Sequence, residues 1–261
     1  MLYQDSRALL IPREELGVIP IVRKKEASPK WKGVKHSDLA ESIIASVNSH
    51  NLTVVNEKWL VSKSESAMWG LVEIAPTDTL KLDAGQEMNF SLGTRHGNDG
   101  EFSVSFAVGG VVSVCSNGMF VGDFTLRKRH TMNLDLQSEV DSAVDYWMNQ
   151  AQMVEMYVKE WKKYEISTKD VTQTLFRAYD KSVIPLKYAP DVLLEWEYPS
   201  HPEFEERTLW SLYNGFTEVG KKMPISTQTT MFSKLIPLFE KEYGVPVLAL
   251  APPVSDEGPE F

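Results

Sequence analysis

The sequence has a single cysteine, Cys115, among its 261 residues. One thiol cannot form an internal disulfide, and it cannot supply a cysteine-rich zinc site. Long apolar runs are also lacking, because Asp5, Arg7 and Arg13 interrupt the first apolar segment and no later segment is long enough to span a membrane. We therefore expect a soluble, cytoplasmic protein without a signal peptide, with no cofactor and no metal site.

An excess of positive charge is lacking as well, since the formal net charge is −9. This balance argues against a surface coated with basic residues, so any nucleic-acid site must be a local groove or stripe. The hydrophobic content of 43% is enough to build a sizeable core in a chain of this length. The composition therefore favours one large domain, with or without appendages.

Strands are predicted in the middle of the chain. Apolar residues occupy every second position at Phe102, Val104, Phe106 and Val108, which is the period of a half-buried strand. A second alternating strand follows around Val112 and Val114, and the two glycines at 109–110 predict the turn between them. Further strand-like residues run from Thr53 to Ala75.

Helices are predicted on both sides of these strands. Asp38 and Glu41 form a capping-box pattern that predicts a short helix at its start. A long helix from about Asp135 to Lys163 is predicted, with a second capping-box pattern at Ser138 and Asp141. Its apolar stripe has heptad-like spacing and consists of Val140, Val144, Trp147, Ala151, Val154, Val158 and Trp161. We expect this stripe to pack on the sheet as core rather than to form a seam between subunits.

These elements predict an α+β fold, in which an antiparallel sheet is covered by one long helix in a β-β-β-α core. Shorter helices are predicted at Ser167–Tyr179, Thr208–Lys221 and Thr229–Tyr243, with Pro237 kinking or ending the last one. The expected organisation is an irregular basic arm (1–36), the α+β core (37–166), a helical region (167–244) and a proline-rich acidic tail (245–261).

Three polar motifs lie next to the predicted strands, and sheet packing requires none of them. They are His96 with Asp99-Gly100, Cys115-Ser116-Asn117 and Arg129-His130-Thr131. In this order the motifs resemble those of the phage/plasmid-like protein family, whose members carry a His-Asp-Gly turn, a Cys-(Ser/Thr)-Asn turn and an Arg-His-Thr segment. The likeness covers roughly residues 20 to 220, with Gly97 and Asn98 standing between His96 and Asp99. It implies a mobile genetic element in a bacterial host and no agreed activity.

The order of the predicted elements also resembles the core of the Rad52-like single-strand annealing proteins, which form rings around a basic groove for single-stranded DNA. No sequence motif of that group is present, and fold analogy is only an associational argument for function. The resemblance implies a homo-oligomer that binds single-stranded DNA.

Two basic segments are the candidate DNA-binding residues. In the first, lysines surround a tryptophan that could stack on a base while the lysines follow the phosphates. In the second, cationic side chains follow a predicted strand and could track phosphates, although a solvated strand end would have the same composition. The candidates are Lys24, Lys25, Lys30, Trp31, Lys32, Arg95, His96, Arg127, Lys128, Arg129 and His130.

Catalysis has weaker support. His96, Asp99 and Cys115 could form a Cys–His system, which would make the protein an uncharacterised hydrolase. However, Cys115 ends an apolar strand and precedes Ser-Asn-Gly, which is more typical of a small buried residue leading into a turn. We therefore assign no catalytic residues.

The chain closes with acidic residues and an aromatic ring, Asp256, Glu257, Glu260 and Phe261. This end resembles the acidic, phenylalanine-ended tips of single-stranded DNA-binding proteins, which implies contact with a host replication or repair protein. Together these features predict a non-catalytic protein that binds, or even anneals, single-stranded DNA in recombination or replication. The alternative is a protein-interaction module that inhibits or redirects a host defence or DNA-handling protein.

Overall fold

The α+β class is confirmed by a computed structural model, which describes residues 8–22, 29–75, 88–112 and 118–244. Its antiparallel sheet has six strands, and each strand pairs with its neighbour in sequence. The strands are β1 (Ala8–Leu10), β2 (Val54–Ser62), β3 (Ala67–Ile74), β4 (Met88–Gly97), β5 (Val104–Val112) and β6 (Gly118–Lys128). The α-helices of the described ranges are α1 (His36–Ser49), α2 (Leu136–Lys163), α3 (Thr168–Asp180), α4 (Ala189–Glu197), α5 (Leu209–Gly220) and α6 (Ile225–Tyr243). In the described ranges no helix has the length and apolarity needed to cross a membrane.

The first segment is more ordered than its composition predicts. Ala8–Leu10 adds an edge strand to β2, and Arg13–Val18 forms a 3₁₀ helix whose Leu16 is fully buried. Arg13 also donates a 2.9 Å hydrogen bond from Nε to the Glu57 carboxylate on β2. The prediction of an irregular arm was therefore wrong for these residues, because one buried leucine and one ion pair anchor them to the rest of the fold.

The predicted glycine turn at 109–110 was also wrong, because β5 continues through it. Gly109 pairs with Ser91 of β4, and Gly110 pairs with Phe90. On the other side, the same two glycines pair with residues 120 and 119 of β6. Ladder pairing on both sides of a central strand therefore outweighs the turn preference of two glycines.

Both predicted capping boxes are replaced by other helix starts. Helix α1 begins at His36 with Lys35 as its N-cap, without a side-chain cap. Helix α2 is capped by Asp135, whose carboxylate accepts a 3.2 Å hydrogen bond from the Ser138 backbone N–H. The N-cap is therefore the carboxylate of Asp135, three residues before the Ser138 hydroxyl that the sequence pattern indicated.

The side chains of the α2 stripe that the structure describes, which exclude Val154, lie in the core as predicted, and they pack on two different partners. In the first half of the helix, Trp147 is fully buried and donates a 2.8 Å hydrogen bond from Nε1 to the Ser91 carbonyl of β4. Near its end, the Trp161 ring lies 5.2 Å from the ring of Tyr213 and 5.4 Å from that of Phe239. The helix therefore covers the sheet with one part and the C-terminal helices with the other.

The C-terminal helices α3, α5 and α6 lie where the sequence predicts them, whereas α4 was not predicted. Proline lies in the first turn of α4, a position that is favourable for a helix start. Pro237 lies inside α6, which continues beyond it to Tyr243 and ends at Gly244 with a left-handed φ of 65°. The predicted tail, 245–261, lies outside the described residues.

Candidate nucleic-acid interface at the basic end of the sheet

Two basic segments that are far apart in the sequence lie side by side at one end of the sheet. Trp31 forms an antiparallel bridge with Thr131, just after β6. The Lys32 N–H donates to the His130 carbonyl at 3.2 Å, and the Met132 N–H donates to the Lys30 carbonyl at 2.8 Å. We call this region the basic end, defined by Lys30, Lys32, Arg95, Arg127, Lys128 and Arg129.

The charged side chains of the basic end point in more than one direction. Arg95 pairs with Ser105, and Ser105 pairs with Arg127, so the two arginines lie on the same face of the sheet. Lys128 belongs to the opposite face, where its Nζ lies 3.2 Å from the Glu139 carboxylate of α2. Except for the half-buried Arg95, all members of the basic end are exposed.

Beneath the basic end, three imidazole rings form a buried histidine cluster, defined by His36, His96 and His130. The ring centroids of His36 and His96 are 4.9 Å apart, and those of His96 and His130 are also 4.9 Å apart. Their exposed fractions are 0%, 0% and 5%. Two of the sequence motifs therefore meet in space. His36 was missed by sequence reasoning, because a lone histidine at a helix start carries no signal of its own.

Backbone carbonyls fix the orientation of two of these rings. His36 donates from Nε2 to the Glu65 carbonyl at 3.0 Å, and His96 donates from Nε2 to the Val34 carbonyl at 3.1 Å. Since a carbonyl can only accept, Nε2 carries the proton in both rings. The Nδ1 atoms of both rings are buried and have no hydrogen-bond partner. Neither nitrogen of His130 makes a hydrogen bond of regular geometry.

The histidine cluster is uncharged at neutral pH. Burial lowers the pKa of His36 and of His130, and it lowers the pKa of His96 well below its ordinary value. The neighbouring rings add to the lowering of the His96 pKa, whereas the carboxylate of Asp99 opposes the lowering for the other two. The prediction that His96 and His130 contact DNA does not fit this geometry, because both rings are buried and neutral.

Trp31 is held in place instead of belonging to a flexible arm. Its ring stacks on His130 with centroids 6.4 Å apart and an interplanar angle of 18°. Gly100, with φ at +81°, passes so close that an added Cβ would lie 2.5 Å from the Trp31 Nε1 atom. A Cβ on Gly33 would lie 2.9 Å from the same indole. The turn that carries Gly100 is itself fixed, because the Asn98 amide donates to the Pro20 and Glu65 carbonyls.

Some predicted site residues cannot be placed. Lys24, Lys25, the Cys115-Ser116-Asn117 motif and the tail residues Asp256, Glu257, Glu260 and Phe261 lie outside the described residues. Within the described ranges, no three histidine, cysteine, aspartate or glutamate side chains are placed to hold a metal ion. What the structure brings together is therefore a basic surface, a stacked tryptophan and a neutral histidine cluster.

The sequence matches the model of a domain of unknown function (DUF932) over residues 25–232. No curated protein matches the chain, and no solved structure matches it. The matched region contains all of the basic end and the whole histidine cluster.

Proposed function

We propose that this chain, which belongs to the DUF932 family of unknown function, binds single-stranded DNA at the basic end without catalysing a reaction. Because the family has no known function, this role is inferred from the chain's own residues. The observation that carries this proposal is the antiparallel pairing of residues 30–32 with residues 130–132. The three motifs of the phage/plasmid-like resemblance favour a role in recombination or replication of a mobile element.

The pairing concentrates positive charge on a protein that is acidic as a whole. Lys32 lies opposite His130, which follows Arg129 in the chain, and Lys30 lies opposite Met132. Arg127 precedes Arg129 by two residues at the end of β6. Each phosphate that such side chains neutralise releases condensed counterions, which is the main source of affinity in sequence-independent binding. A local basic surface on a chain with a net charge of −9 therefore selects where a polyanion can approach.

The histidine cluster supports this surface without adding charge to it. His130 lies in the segment that follows β6, His96 lies on β4, and His36 begins α1. Their ring contacts join three elements directly beneath the paired basic segments. We assign the cluster the role of holding the two basic segments in register, which explains why sequence motifs include histidines that cannot reach a phosphate.

Charge-removal variants with a matched control test the proposal. In the test variant, Lys30, Lys32, Arg127 and Arg129 are all replaced by Gln. In the control variant, four exposed lysines of the helical region, Lys169, Lys187, Lys222 and Lys241, are replaced by Gln. Both variants lose the same charge. Binding of a fluorescent oligodeoxythymidine is then measured by anisotropy at several salt concentrations.

We expect the test variant to bind more weakly and with a flatter dependence on salt, by about 0.7 in slope for each lost phosphate contact. The control variant should keep both the affinity and the slope of the native protein, apart from a small general effect of net charge. Equal losses of affinity in the two variants would mean that DNA is attracted to any positively charged side chain, without a defined site. No binding by the native protein at low salt would remove the proposal.

A second candidate function is a protein-interaction module, and one surface favours it. Leu194 of α4 and Tyr198, the residue that follows the helix, are exposed, with exposed fractions of 55% and 75%. The exposed carboxylates of Glu203, Glu205 and Glu206 follow a few residues later. An apolar surface with acidic neighbours suits a protein partner with a basic rim. Replacing Leu194 and Tyr198 by Ser should abolish capture of such a partner while leaving DNA binding unchanged.

A further inference from the structure

Two aromatic rings lie on the face of the sheet that carries Arg95, away from the histidine cluster. Trp69 of β3 pairs with Arg95 of β4, so their side chains share one face. Phe102, from the turn between β4 and β5, places its ring 6.4 Å from the Trp69 ring at a tilt of 54°. The Arg95 guanidinium carbon lies 4.9 Å above the centre of the Phe102 ring. We call Trp69, Phe102 and Arg95 the aromatic platform.

The platform is separate from the main core. Trp69 packs against a small cluster of Ala8 and Leu60, which belongs to this face alone. The opposite face at the same end of the sheet carries Met68 and His96, both fully buried in the main core. All three platform side chains are only partly buried. Rings that are held from one side and partly open on the other can accept a further planar group.

The backbone fixes the position of Phe102. The Gly97 N–H donates to the Phe102 carbonyl at 3.1 Å, which brings the turn back against the end of β4. A Cβ on Gly97 would lie 2.8 Å from the Phe102 backbone nitrogen, so a larger residue could not allow this approach. The Phe102 ring is therefore placed by a close backbone contact, and a glycine makes that contact possible.

Positive charge borders the platform on the same face. Continuing along the row of paired residues, Ser105 follows Arg95 and Arg127 follows Ser105. Ser105 is short and fully buried, so the longer side chains of Arg95 and Arg127 extend beyond it on either side. Arg127 belongs to the basic end, so the platform and the proposed phosphate-binding surface are continuous across β4, β5 and β6.

From this arrangement we propose that Trp69 and Phe102 stack on the unpaired bases of a single strand while Arg95 and Arg127 hold its phosphates. Aromatic rings that alternate with cations are the chemistry that recognises single-stranded nucleic acid without regard to sequence, because every base has a π-face. Bases inside a duplex are stacked on one another and do not offer that face. The platform would therefore give the site its preference for single strands over duplexes, and this inference rests on the proposed DNA binding.

The test separates stacking from charge. Trp69→Leu and Phe102→Leu keep an apolar side chain and remove the π-face, and Phe176→Leu on α3, an aromatic residue with an exposed fraction of 68%, is the matched control. Three probes of equal length are compared by anisotropy at low salt: oligodeoxythymidine, an abasic deoxyribose-phosphate oligomer and a duplex. Circular dichroism melting curves check that each variant remains folded.

The native protein and the Phe176→Leu variant should bind oligodeoxythymidine more tightly than the abasic oligomer, by about 5- to 150-fold for each stacked base. Trp69→Leu and Phe102→Leu should lose most of this difference and keep the affinity for the abasic oligomer. If the native protein binds the base-bearing and abasic oligomers equally, or if the two Leu variants behave as the native protein does, the platform is not a stacking site, although charge-driven binding still stands. If none of the single strands binds, the proposed function itself fails.

Discussion

Gly100 lies directly against the indole of Trp31, so that a Cβ at position 100 would come within 2.5 Å of the Nε1 atom. The glycine also has a φ of +81°, which residues with a Cβ rarely adopt. These two constraints are independent, since one comes from the backbone and the other from the neighbouring ring. Together they make this turn a sensitive point of the basic end.

Replacing Gly100 by Ala should destabilise the protein by about 1–3 kcal/mol, because the left-handed backbone is strained and Trp31 must move. Gly17→Ala is the control, since a Cβ at that position would meet nothing within 4 Å. Urea denaturation of both variants measures the change in the free energy of unfolding. Equal stability of the two variants would show that the turn tolerates a side chain.

Acid should weaken the fold through the histidine cluster. Burial lowers the pKa values of His36, His96 and His130. As the pH falls, the unfolded chain therefore binds more protons than the folded chain does. As the pH falls below the unfolded value of about 6.5, the free energy of unfolding should decrease by up to about 1.4 kcal/mol per pH unit for each histidine. Above that pH the contribution is constant.

Urea denaturation between about pH 7.5 and pH 5 measures this dependence, a range that avoids most carboxylate titrations. His96→Gln should be less stable than the native protein at neutral pH and should show a shallower decline towards acid. An unchanged slope in this variant would mean that His96 takes up its proton in the folded state.

His50 should act in the opposite direction. Its pKa is raised, first by the Ser46 carbonyl and then by the Asp145 carboxylate, which lies 3.0 Å from Nε2. Stabilisation from this group is fully present below the unfolded pKa of about 6.5 and is lost as the pH rises through the higher folded value. His50→Gln should therefore cost more stability at about pH 5.5 than at about pH 8. A loss that is equal at both values would show that the contact with Asp145 does not depend on charge.

The two buried tryptophans of α2 should respond differently to substitution. Trp161→Ala should cost about 3–5 kcal/mol, because it leaves a cavity beside Tyr213 and Phe239. Trp147→Phe should cost about 1–3 kcal/mol, since it keeps most of the ring but leaves the Ser91 carbonyl without its indole donor. Urea denaturation measures both costs. If Trp161→Ala remained fully stable and changed only the mass found by light scattering, the stripe would be a subunit seam.

The parts of the fold that the sequence predicts are those with a local signal. The stripe of α2 can be predicted because apolar residues recur along one helix face, and the strands around Phe106 can be predicted because apolar residues alternate. In contrast, the edge strand at Ala8–Leu10 is three residues long and exposes two of them, so it has no pattern to detect. The continuation of β5 through Gly109 depends on partners in β4 and β6 that the local sequence does not contain.

The same distinction holds for the candidate site. The basic character of residues 30–32 and of residues 127–129 is visible in the sequence, and so are His96 and His130. Their relation is not visible, because it depends on the bridge between Trp31 and Thr131 and on His36, which is brought in by α1. Burial then reverses the expected role of the histidines, from charged groups that contact phosphate to neutral groups that pack.

The strand order has a consequence for how the molecule is assembled. All five pairings of the sheet join strands that follow one another in the chain. The four pairings from β2 to β6 close short loops and can form soon after their strands are synthesised, whereas α1 separates β1 from β2. The bridge between Trp31 and Thr131 instead closes a loop of about 100 residues, with a correspondingly larger loss of chain entropy. We therefore expect the sheet to form first and the basic end to close late. A newly made chain would pair β2 to β6 before its two basic segments come together.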